Sequence, residues 1–148
     1  MNFYKHFIGD YARDTGHLTI TEHGAFRLML DHFYGTSRPL PSERKALYRL
    51  VRAETKCEQK AVDDIAQQFW RRMPADPDVM YEWLALKNKE ERQALFTIAS
   101  EWDQADGLIN IRALIEIVKA RLIAEKNRAT AIAREENKRR LYVVGGQK

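Results

Sequence analysis

The sequence predicts a mainly α-helical protein: a winged-helix-like helix-turn-helix body with a helical insertion and a long C-terminal helix. Three observations lead there. Only four prolines and seven glycines interrupt 148 residues, so little breaks helical runs. Apolar residues recur with helical spacing behind two separate capping boxes. Two of the amphipathic segments are joined by a link too short for anything but a tight turn.

Residues 2–14 read as extended or irregular. Phe3, Tyr4, Phe7, Ile8 and Tyr11 are spaced to anchor the segment on a core, and Gly9-Asp10 interrupts a long helix. Thr19-Ile20-Thr21-Glu22 is a capping box, in which hydroxyl and carboxylate satisfy free amides at a helix start. Phe26, Met29, Leu30 and Phe33 then line one helix face, and Gly35 is the expected left-handed stop. Thr36 to Pro41 reads as a stiff turn, with Ser42 capping a short helix whose stripe is Leu47, Leu50 and Val51.

Thr55-Lys56-Cys57-Glu58 is the second capping box. Val62, Ile65, Ala66 and Phe69 follow on one face. Only Arg52 to Thr55 separate this helix from the one before, which makes the pair a helix-turn-helix candidate. Pro74 and Pro77 stop it. Met80, Trp83 and Leu84 mark a short helix, and residues 89–102 another, with Leu95, Ile98, Ala99 and Trp102 on one side. Asp106-Gly107 is a turn, Leu108-Ile109 a short strand, and Asn110 a cap for a helix from Ile111 to about Tyr142. Leu114, Ile117, Val118, Leu122 and Ile123 should pack that helix on the body. The second half keeps only Ala129, Ile132 and Ala133 as apolar contacts, and the tail from Gly145 reads as disordered. The division expected is a domain over residues 1–125, with an insertion over about 73–105, and a basic arm and tail over 126–148.

Charge is unevenly spread. Residues 119–148 hold nine Lys/Arg against three Glu, while residues 1–118 hold 16 basic and 18 acidic residues. A basic arm on a near-neutral body suits an anionic partner, and equally suits a solvated helix. The single cysteine, Cys57, excludes an internal disulfide and reads as a buried or half-buried thiol in a cytoplasmic protein. No apolar run approaches the ~18 residues of a membrane span, and the N-terminus lacks the pattern of a secretory signal.

Catalytic patterns are missing. Asp63-Asp64, Glu90-Glu91 and Glu135-Glu136 are neighbours on helices and diverge by about 100°, so none forms an acid–base pair. His6, His17, His23 and His32 fall among Asp10, Asp14, Glu22 and Asp31, which are metal-ligand types. Their spacing fits no zinc motif, and His23 and His32 stand too far apart on one helix to share an ion. A metal-dependent enzyme is the least supported reading, and no cofactor is expected. Trp70, Trp83 and Trp102 lie in apolar stripes and read as core or interface anchors rather than base-stacking platforms.

Double-stranded DNA is the partner the charge pattern suits. The first turns of the second helix of a helix-turn-helix meet base edges, which selects Lys56, Gln59 and Lys60. Arg71 and Arg72 follow where a wing touches phosphate. Arg128, Arg134, Lys138, Arg139 and Arg140 would add phosphate contacts from the arm. Glu54, Glu58, Asp63 and Asp64 dilute the positive face. The terminal helix is also a candidate homodimer seam, interrupted past Ile123.

The string from Tyr4 through Gly9-Asp10-Tyr11, Arg13-Asp14-Thr15 and His17-Leu18 resembles the start of the YdaU-like prophage family of unknown function. Thr21-Glu22-His23-Gly24-Ala25-Phe26, Leu30-Asp31-His32-Phe33-Tyr34 and Pro39-Leu40-Pro41 continue the resemblance, which covers residues 3–70 and returns over Asp106 to Arg112. It implies a phage replication initiator N-terminal-like protein, with a winged-helix body, DNA binding at replication initiation and no enzymatic activity. The alternative is a phage protein that binds and controls a host or phage protein, such as a helicase loader or a defence complex. Arg71 to Ala105 departs from the family pattern, with about 30 residues where a short wing is usual.

Overall fold

The computed structural model describes residues 7–102 and 106–145, with side chains described as far as Arg140. The chain is mainly helical. The elements run α1 (Ile8–Thr15), α2 (Ile20–Thr36), α3 (Arg44–Val51), α4 (Lys56–Phe69), β1 (Arg71–Arg72), α5 (Pro77–Trp83), α6 (Lys89–Ser100), β2 (Leu108–Ile109) and α7 (Ile111–Gly145). Phe3, Tyr4, His6 and the last three residues, on which sequence expectations also fell, lie outside the described residues.

Helices α2 and α4 start where the capping boxes place them. Thr19 Oγ1 accepts from the Glu22 amide at 3.3 Å while the Glu22 carboxylate accepts from the Thr19 amide at 2.7 Å. Thr55 and Glu58 repeat the arrangement at 3.3 and 2.8 Å. α2 is the centre of the core. Its Met29 and Phe33 are fully buried, and it packs on α3, α4 and α7. α4 contributes Val62 and Ile65, and α7 contributes Leu114, Ile117 and Val118. α6 lies against α7 through Leu95 and Ile98.

β1 and β2 pair antiparallel, Arg71 opposite Ile109 and Arg72 opposite Leu108. Leu40 adds a bridge on the other side of Leu108, with amide-to-carbonyl bonds of 2.9 and 2.8 Å in the two directions. The pairing thus draws together residues before α3, after α4 and before α7. α5 and α6 are inserted between the two strands. Asn110 caps α7: its Oδ1 accepts from the Ala113 amide and its Nδ2 donates to the Phe69 carbonyl, both at 2.9 Å.

Five local expectations are corrected. The stretch expected to be irregular is helical from Ile8 to Thr15. Gly9 sits in its first turn, where glycine costs little, and Asp10 there suits the positive helix end. Helix α2 runs through Gly35, and Ser37 takes the left-handed position at φ 54° with its amide on the Phe33 carbonyl. Glu43, not Ser42, caps α3, accepting from the Lys45 and Ala46 amides; Ser42 Oγ instead bonds Asp106 at 2.8 Å. Cys57 is exposed, because it falls in the first turn of α4 outside the stripe. Ile123 is 61% exposed, although α7 still reaches α6 here through Lys126 and Glu90 at 3.4 Å. α7 also extends to Gly145 and runs unbroken through residues 125–126, so its arm is a continuation of the same helix. No helix among the described residues is long and apolar enough to cross a membrane.

Candidate nucleic-acid interface

The link between α3 and α4 turns on Arg52, which is left-handed at φ 59°, and on the Ala53 amide bonded to the Tyr48 carbonyl at 2.9 Å. Tyr48 Oη donates to Asp63 at 2.8 Å, tying α3 to the middle of α4. The two helices are thereby held at a fixed angle, and the first turn of α4 faces solvent.

Lys56 and Lys60 are both exposed and share one face, four residues apart. Among the described residues Lys56 makes no ion pair. Lys60 pairs with Asp64 one turn on. Asp64's hydrogen bond and charge raise the Lys60 pKa, with Glu22 adding to the effect. An exposed pair of this kind is weak in water, so Asp64 yields to a competing phosphate at little cost. Gln59 does not project as a free reader. Its Nε2 donates to the Ala53 and Glu54 carbonyls at 3.4 and 3.3 Å, so it closes the turn instead.

Arg71 and Arg72 are exposed on β1. Arg72 pairs with Asp106 at 3.2 Å. Arg71 lies over the Trp83 ring, its Cζ 5.4 Å from the centroid, a cation–π contact that fixes the guanidinium without neutralising it. Arg128, Arg134, Lys138, Arg139 and Arg140 are all exposed on α7. Arg139 pairs with Glu135 at 3.7 Å; the other four make no ion pair among the described residues. The structure therefore brings Lys56 and Lys60 together and puts Arg71 and Arg72 on successive strand positions, whose side chains leave opposite faces, while the arm's cations are spread along a helix.

One polar cluster escaped the sequence reading. Arg112, at the start of α7, bonds Asp10 at 2.5 Å and Asp14 at 3.3 Å and approaches Glu116 at 3.9 Å. The Arg112 hydrogen bond is the main cause holding the Asp10 carboxyl below its usual range. Tyr11 and His23 meet at 2.6 Å, and His17 meets Gln68 at 2.9 Å. These contacts bolt α1 to the body. Of the four histidines, His17 and His23 make these polar contacts, and His6 lies outside the described residues. Burial lowers the pKa of His32. Among the described residues no three His, Cys, Asp or Glu converge as metal ligands.

Residues 2–73 match the family described as "Protein of unknown function (DUF1376)". The match covers just under half of the chain. The matched segment holds the capped helices, the tight turn and both β1 arginines. The chain is also similar to the "Uncharacterized protein YdaU" of Escherichia coli (strain K12), at 42% identity over 40 residues, which is 27% of this chain. It spans 14% of that relative's length. No solved structure matches the chain.

Proposed function

We propose that the chain is a non-enzymatic, phage-encoded DNA-binding protein of the winged-helix type that acts at replication initiation. α3 and α4 are the helix-turn-helix, α4 is the recognition helix, and the small sheet of Leu40, β2 and β1 is the base of the wing. The observation that carries the reading is the pairing of an exposed, lysine-bearing first turn of α4 with two arginines on the strand that directly follows it. Base edges accept from such a helix start, and strand arginines meet the flanking phosphates. The helical insertion between β1 and β2 takes the place of a short wing loop. The arm of α7 supplies charge without sequence preference. The replication role rests on the family resemblance.

A salt-titrated duplex-binding assay tests this. Affinity should fall steeply as salt rises, and Lys56→Ala with Lys60→Ala should weaken binding by about 1 kcal/mol or more. Unchanged affinity in the double variant removes α4 from the interface.

The second reading is a regulator of another protein. It is favoured by Ile20 and Leu28, which are 90% and 49% exposed on α2, beside a groove that Leu50 and Val51 also line. No detectable duplex binding at low salt would move the proposal to that surface.

A further inference from the structure

A cavity of about 590 Å³ opens between α1, the end of α4, Trp83 and the start of α7. That is within the range of small-ligand sites. Tyr11, Phe69, Trp70 and Trp83 give it aromatic walls. Four charged side chains line it: Asp14, Arg71, Arg112 and Glu116. Arg112 is occupied by Asp10, Asp14 and Glu116, and Arg13 also pairs with Asp10 and Asp14, so this cluster is self-paired and carries a slight negative excess. Arg71 is the exposed cation of the lining that has no carboxylate partner among the described residues. Trp70 is 95% buried by its 5% exposure, and its Nε1 is a buried donor with no partner among the described residues. Buried donors are almost always satisfied, and Trp70 is one of the residues that line the cavity.

We propose that this cavity binds one unpaired nucleotide, its base held among the aromatic rings and its phosphate on Arg71. A flat ring with acceptors and one attached anion matches aromatic walls, a free N–H and a single uncompensated guanidinium. A free nucleotide and a nucleotide within a single strand share that chemistry. The proposal goes beyond duplex recognition and uses a different face from Lys56 and Lys60.

The test is quenching of tryptophan fluorescence by thymidine 5′-monophosphate and, separately, by a short oligo-dT strand. Saturable quenching by the strand alone identifies a strand's nucleotide; quenching by both identifies a site open to free nucleotide. Either upholds the proposal if Arg71→Ala, a surface change, weakens binding roughly tenfold. Trp70→Phe should also weaken it while circular dichroism stays unchanged. The variant carrying Lys56→Ala and Lys60→Ala should keep its single-strand affinity, which separates this site from the α4 face of the duplex interface, with which it shares only Arg71. No saturable quenching by either probe, or quenching indifferent to Arg71→Ala, overturns the proposal. So does Arg71-dependent binding of a peptide ending in phenylalanine when neither nucleotide probe binds.

Discussion

Replacing Gly107 by alanine probes how the sheet beneath β1 is held. A Cβ at this position lands 2.5 Å from Pro39 Cβ and 3.0 Å from the Leu40 carbonyl oxygen. Carbon atoms rest at ~3.5–4.0 Å, and neither neighbour is the loose end of a side chain. Relief needs Pro39 and Leu40 to move by about 1 Å, against the 2.9 and 2.8 Å bonds that join Leu40 to Leu108. Overpacking costs ~1–3 kcal/mol, and each strained backbone bond adds up to ~1 kcal/mol. A total of about 2–4 kcal/mol lowers the melting temperature by roughly 5–15 °C for a chain of this size. The control is Gly24→Ala, inside α2, where a Cβ meets nothing within 4 Å. There the gain in helix propensity should raise stability by up to ~1 kcal/mol. Thermal unfolding followed by circular dichroism reads both signs. A Gly107→Ala protein as stable as its parent, or a Gly24→Ala protein equally damaged, would refute the reasoning.

Thr55→Ala removes the hydroxyl that accepts the Glu58 amide and should cost ~0.5–2 kcal/mol in urea unfolding; no measurable change would mean that the α4 cap contributes nothing. Glu22, Glu43 and Glu58 each have a pKa below the ordinary 4.5, chiefly because backbone amides donate to the carboxylates. Their stabilising effect is full above about pH 4.5 and is lost as pH falls through the folded values. The urea midpoint should therefore drop with acidification below that point, and more gently in Glu58→Gln. Exposed Cys57 should react fully with a thiol reagent in native buffer; protection until unfolding would contradict its position.

Local signals read the starts of α2 and α4 correctly because both capping boxes are closed by residues three positions apart. The Asn110 cap was legible for the same reason, since its Oδ1 accepts from the amide of Ala113 three positions on. The misses share a different cause. α1 is held by Arg112, about a hundred residues downstream, and no local pattern announces that bond. The left-handed position falls on Ser37 instead of Gly35, and Trp102 Nε1 donates to the Ser37 carbonyl at 2.9 Å across 65 residues. Ser42 leaves its capping position for Asp106, 64 residues away. At the candidate site, charge pattern found Lys56 and Lys60 but misjudged Gln59, whose side chain is used by the turn. The cavity was invisible, since its walls come from α1, α4, α5 and α7 together.

The most direct measurement is a backbone-amide NMR titration of the labelled protein with a duplex at low salt. The account predicts that the largest shifts fall on Thr55 to Lys60 and on Arg71 and Arg72, with smaller changes along α7. Shifts confined to Ile20, Leu28 and their neighbours, or none in the first turn of α4, would contradict it.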